Sequence, residues 1–115
     1  MLLKVQSQEQ VSDHVFHVLL SLADGPRHGY GIIQDVEART NGAFTLGSGT
    51  LYSAIKRMES KGWVKRVAVP ESGDARRKYY GLTPQGRRVI SAEARRLATL
   101  VRYARAKDLL PDRVD

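Results

Sequence analysis

One short extended stretch set between helical segments constrains this sequence most. Trp63, Val64, Val67 and Val69 are aromatic or β-branched, Pro70-Glu71-Ser72-Gly73-Asp74 is turn chemistry, and Lys78-Tyr79-Tyr80-Gly81-Leu82 resumes the extended pattern. That order predicts a two-stranded β-hairpin, with a loop long enough to make its tip finger-like. The rest of the chain reads as helix, so the expected fold class is mainly α with a small β-hairpin.

Before the hairpin, Val11, Val15, Val18, Leu19 and Leu22 recur at three and four, predicting a helix from Val11 to Ala23 that Asp24-Gly25-Pro26 stops. A second helix is expected to begin between His28 and Tyr30, carry Tyr30, Ile33, Val36 and Glu37 along one stripe, and end around Thr40-Asn41-Gly42. Ser48 is expected to cap a third helix that buries Leu51, Ile55 and Met58 and closes at Lys61-Gly62. After the hairpin, Thr83-Pro84 combines a capping side chain with proline at the first helical position. From Pro84 to about Lys107 no breaker follows Gly86, and Ile90, Ala94, Leu97, Val101 and Ala104 keep a four-three spacing. That is the seam of a long, coiled-coil-like helix. Leu109-Leu110-Pro111 ends it, and the last residues to Asp115 are expected to fray.

Charge narrows the partners. The 115 residues carry a formal +7 and a pI near 10.1, which favours a polyanion such as nucleic acid or an anionic membrane surface. No apolar stretch is long enough to span a bilayer, and Met1 to Gln10 lacks the pattern of an export signal, so no membrane role and a cytoplasmic, nucleoid-associated location are expected. The absence of cysteine removes disulfides and thiolate metal sites. His14 and His17 are three apart, yet no third ligand is near, so a packing or surface role outweighs a metal. No nucleophile, acid–base pair or metal cluster has a convincing spacing, so neither an enzyme nor a cofactor is expected.

Three helices followed by a β-hairpin is the order of a winged helix-turn-helix. Within it, Leu19-Leu20-Ser21-Leu22-Ala23-Asp24-Gly25-Pro26-Arg27-His28-Gly29-Tyr30-Gly31-Ile32 resembles the signature of the PadR family. Gly49-Thr50-Leu51-Tyr52-Ser53-Ala54-Ile55-Lys56-Arg57-Met58-Glu59 resembles its recognition segment. Arg76-Arg77-Lys78-Tyr79-Tyr80-Gly81-Leu82-Thr83-Pro84-Gln85-Gly86-Arg87 is similar to its second wing strand and the opening of its last helix. The short tail is similar to the family's single-helix subgroup. Trp63-Val64 stands where Leu-Ile is more usual, and Gly47-Ser48 where a proline is often found.

The third helix, with Leu51, Ile55 and Met58 inward, turns Ser48, Thr50, Ser53, Lys56 and Arg57 outward with Tyr52 beside them, suited to base edges or phosphates. The hairpin carries Lys65, Arg66, Arg76, Arg77 and Lys78 against Glu71 and Asp74. Arg76 and Arg77 are the sharpest candidates for phosphate or minor-groove contact. Lys65 and Arg66 should alternate outward and inward, so that only one contributes. His28 and Tyr30 open the second helix, where the resemblance implies phosphate contacts, although Tyr30 is equally suited to the core.

A long helix with a narrow apolar seam needs a partner. A twofold homodimer is expected, and the resemblance implies that this helix packs on the first helix of the other subunit, bringing Val11, Val15 and Phe16 into an interface with Ile90, Ala94, Leu97, Val101 and Ala104. Residues 1–83 are then the DNA-binding part, and 84–115 the dimerisation helix and tail, in one structural unit. The expected partner is a double-stranded, palindromic operator, with a repressor released by a small hydrophobic or aromatic effector that this sequence does not name. The alternative is a basic winged helix for protein contact or non-specific DNA binding.

Overall fold

The computed structural model describes residues 11–111; the expectations for Met1 to Gln10 and for residues 112–115 lie outside them. Helix α1 spans Asp13–Ser21, with the Ser12 hydroxyl accepting from the Val15 amide at 3.3 Å. It is shorter at both ends than its apolar periodicity, because Val11 precedes the cap and Leu22 sits in the closing turn while still packing in the core. Strand β1 (Arg27–His28) leads into α2 (Gly29–Arg39), followed by α3 (Ser48–Ser60), β2 (Val64–Val67), β3 (Tyr79–Leu82) and α4 (Pro84–Ala106).

The hairpin is part of a larger sheet. Its two strands pair antiparallel with Val64 opposite Leu82 and Val67 opposite Tyr79, and β1 adds to the other edge of β3, Arg27 opposite Tyr80, giving the order β1-β3-β2. A two-residue strand between Pro26 and the first turn of a helix carries no alternation to read, so only the pairing creates it.

Helix α2 buries only part of the stripe its periodicity suggested, with Val36 in the core and Ile33 half-buried against it. Gly29, Ile32 and Val36 face inward, while Tyr30 is 53% exposed and Glu37 lies in solvent. Ile32 and Ile33 are adjacent, so an apolar pattern fits either register; Gly29, which offers no side chain, decides which face comes close. Ser48 is also displaced by one position. Gly47 is the cap of α3 and makes no side-chain bond, leaving Ser48 as the first helical residue. Lys65 and Arg66 are both exposed, on β2, the edge strand of the sheet.

The core gathers Val18, Leu19, Ile32, Val36, Leu51, Ile55, Met58, Trp63 and Ile90. Helix α4 joins it by its first turns. The Thr83 amide donates to the Trp63 carbonyl at 3.0 Å, and the Thr83 hydroxyl donates to the Gly62 carbonyl at 2.5 Å while accepting from the Gly86 amide at 2.9 Å. A Cβ on Gly86 would stand 2.0 Å from the Trp63 carbonyl oxygen. Beyond Ile90 the helix leaves the body. Its 23 residues stretch about 35 Å, and the radius of gyration of 16.2 Å exceeds the ~13 Å of a compact chain of this length.

Candidate nucleic-acid interface

The solvent face of α3 forms a ridge between two depressions. On the wing side, His28, Gly29, Tyr52, Arg76, Arg77, Lys78 and Tyr80 line a groove of about 240 Å³. On the other, Ser12 and His14 at the start of α1 face Gly49, Thr50, Ser53 and Arg57 across about 420 Å³. The outward residues of α3 therefore divide. Tyr52 joins the wing, Thr50, Ser53 and Arg57 line the α1 side, and exposed Lys56 borders neither depression; Ser48 is exposed at the helix start.

At the wing groove, His28 is the cap of α2. Its Nδ1 accepts from the Gly31 amide at 2.9 Å, so the ring is held neutral with its proton on Nε2. Burial, and then the Arg77 charge, lower its pKa below the usual value, against Asp74. Arg77 Nη1 lies 3.4 Å from the same Nδ1, and its guanidinium stacks 5.5 Å from the centre of the Tyr30 ring. Arg77 thus ties the wing to α2, with exposed Tyr30 as its platform rather than a core residue. Gly29 lets the Tyr52 ring lie close, since a Cβ would meet its hydroxyl at 2.3 Å and displace that exposed side chain. Tyr80 is buried, and burial followed by the charge of Glu59 raises its pKa, which keeps the phenol protonated. Neither Gly29 nor Tyr80 stood out in sequence; a glycine between two motif residues was the only available signal.

Several cations do not face this surface. Arg27 Nε donates to the Ser21 carbonyl at 2.8 Å and pairs with Asp35 at 3.4 Å. Arg39 pairs with Asp35 and donates to the His17 carbonyl at 3.2 Å, and Arg87 donates to the Ala23 carbonyl at 2.8 Å. Arg27 thus satisfies the last carbonyl of α1, which carries no basic residue in its own last turn, Arg39 adds a bond within the helix, and Arg87 holds the turn that follows. Burial opposes ionisation of Asp35, but hydrogen bonds from Ser21 and Arg39 and the charge of Arg27 hold its pKa below the usual value. His14 and His17 pack around Phe44, at 5.1 and 4.4 Å between ring centres. Among the described residues no group of three or more His, Cys, Asp or Glu could hold a metal, and no helix is long and apolar enough to cross a membrane.

On α4 the expected seam is only partly covered. Ile90 is buried in the chain's own core, as is Val15 of α1; Phe16 and Val11 are half-buried. Ala94 and Leu97 are exposed, and Val101 and Ala104 half-exposed. The open apolar surface is wider than a coiled-coil seam, because Leu100 (48%) and Tyr103 (61%) extend it.

Comparison with known proteins identifies the family of this fold. Residues 18–92 match the profile of the transcriptional regulator PadR-like family. An uncharacterized 37.1 kDa transposon protein of Streptomyces fradiae is 38% identical over 79% of this chain, which spans a quarter of that protein's length. Transcriptional regulator Rv3488 of Mycobacterium tuberculosis is 31% identical over 75% of this chain and 77% of its own. Among solved structures, a PadR family transcription regulator from Clostridium difficile superposes with a TM-score of 0.65 at 28% identity, covering 79% of this chain and 93% of that one. Bacillus subtilis PadR, solved in complex with operator DNA, shares the fold at a TM-score of 0.59 and 18% identity, over 69% of this chain and 45% of that one.

Proposed function

The chain belongs to the PadR-like family of transcriptional regulators, and from that premise we propose that it is a sequence-specific repressor that grips a palindromic operator as a homodimer in the cytoplasm. One observation carries the reading. The exposed ridge of α3 stands between two open depressions, and one of them is walled by three wing cations. Inserted in a major groove, the ridge puts Lys56 and, from its α1 flank, Thr50, Ser53 and Arg57 against base edges, while Tyr52, Arg77 and Lys78 meet the backbone beside it. The start of α2, with His28 and Tyr30, meets the adjacent phosphates. Residues 1–83 do the reading and 84–115 the pairing.

The open stripe Ala94, Leu97, Leu100 and Val101 supports the homodimer, since a helix that leaves its own core with an apolar face needs a second copy to cover it. For release we assign a small hydrophobic or aromatic effector to the cleft of about 410 Å³ between Val11 and the Val89, Glu93, Arg96 and Thr99 flank of α4, which has the size of a small-molecule site.

Selection of bound duplexes from a random DNA pool tests the proposal. The enriched sequences are expected to be inverted repeats with half-sites about one helical turn apart. Retention of the pool without enrichment rejects sequence-specific repression and leaves non-specific binding. Arg77→Ala is expected to weaken binding to all duplexes alike and to lower the slope of log K against log salt by about one, whereas Lys56→Ala and Arg57→Ala change the preferred sequence. A slope unaltered in Arg77→Ala removes Arg77 from the contacts.

A further inference from the structure

The wing holds an acid that the reading above leaves unused. Asp74 Oδ1 accepts from the Arg76 amide at 2.9 Å and from Arg76 Nε at 3.1 Å, and Oδ2 accepts from Arg76 Nη2 at 3.0 Å. This is the two-pronged geometry by which a guanidinium grips a phosphate. The Arg77 Nε lies 3.6 Å from the same carboxylate. The acid itself is fixed, because its amide donates to the buried Tyr79 hydroxyl at 2.9 Å and its carbonyl accepts from the Arg77 amide at 3.0 Å. Gly73 makes room for that anchor, since a Cβ there would come 2.8 Å from the Tyr79 hydroxyl. Arg76, in contrast, is 89% exposed, so the pair lies in solvent and can exchange partners.

We propose that Asp74 is a specificity-determining residue of the wing: it clasps Arg76 as an internal substitute for a DNA phosphate and yields it only when α3 is seated in its operator. The inference rests on the wing being DNA-facing. On random duplex the loosely docked wing leaves Arg76 on Asp74, so one cation is withheld from non-specific binding. On the operator the seated wing brings a backbone phosphate to the fork, and the phosphate replaces the carboxylate. The hydrogen bonds from Arg76 hold the Asp74 pKa down to about 2, so the clasp stays charged at any pH at which the protein binds DNA.

The test measures the salt dependence of binding to a random-sequence 30-bp duplex and to the selected operator. Asp74→Asn retains a carbonyl for the Arg76 amide but loses the charge. It is expected to tighten random-duplex binding several-fold at low salt and to steepen the salt slope by about one, with a smaller gain on the operator, so that the ratio of the two affinities falls. Arg76→Ala alone is expected to leave the random-duplex slope unchanged and to weaken operator binding. In the double variant the gain of Asp74→Asn disappears. A gain that persists without Arg76 is a general effect of removing negative charge and overturns the clasp, as does a random-duplex slope that falls by about one in Arg76→Ala alone. If the unaltered protein binds no duplex, the DNA-facing wing fails with it; if it binds and Asp74→Asn matches it on both duplexes, only the clasp fails.

Discussion

Gly86→Ala is expected to lower the thermal midpoint by about 12 °C, equivalent to about 3 kcal/mol in a chain of this size. The added Cβ has to occupy a point 2.0 Å from the Trp63 carbonyl oxygen. Backbone, unlike the end of a long side chain, cannot move aside locally. Trp63 is buried, and its carbonyl is bound by the Thr83 amide, so any shift propagates into both the core and the cap of α4. An alanine at a helix position otherwise favours stability, which gives the experiment a clear sign. Calorimetry of the purified variant showing an unchanged or raised midpoint would mean that α4 does not approach the sheet this closely.

Leu97→Asp is expected to convert the proposed homodimer to a monomer on a sizing column and to reduce affinity for a two-half-site duplex about 100-fold, the loss that follows when two tethered reading heads become independent. Leu97 is 36% exposed in the isolated chain and lies beyond Ile90, the last α4 residue in the core. Its replacement therefore leaves the fold intact, and the far-ultraviolet dichroism should match the parent. A desolvated carboxylate against a partner's apolar face, however, prevents association. A dimer that survives the change rejects the α4 stripe as the interface.

The two predictions depend on features that differ in how far the sequence displays them. Leu97 was visible as a member of a four-three repeat, because a helix's period can be read from neighbouring residues. Gly86 gave no such sign: a glycine early in a helix looks like a weak breaker until Trp63 is found against it. The candidate interface behaves in the same way. Lys56, Arg57, Arg76, Arg77 and Lys78 were legible by type and by element. That Arg76 is clasped, that Arg77 stacks on Tyr30, and that Lys65 and Arg66 both face solvent were not. Tyr30 and Glu37 of the α2 stripe were misread for a related reason, since Ile32 and Ile33 satisfy the same periodicity and only contact with the rest of the core buries Ile32 the more deeply.

Local chemistry determined the four helices, the cap at Thr83, the turn at Asp24-Gly25-Pro26 and the wing, because each depends on residues within a turn or two of one another. The tertiary structure alone decided the third strand, the bonds that withdraw Arg27, Arg39 and Arg87 to α1 and the turn that follows it, and the groove that joins wing to α2. Two of these contacts close long stretches of chain, 49 residues between His28 and Arg77 and 64 between Ala23 and Arg87. No periodicity spans such separations; their energy exists only once the core has brought the two ends together.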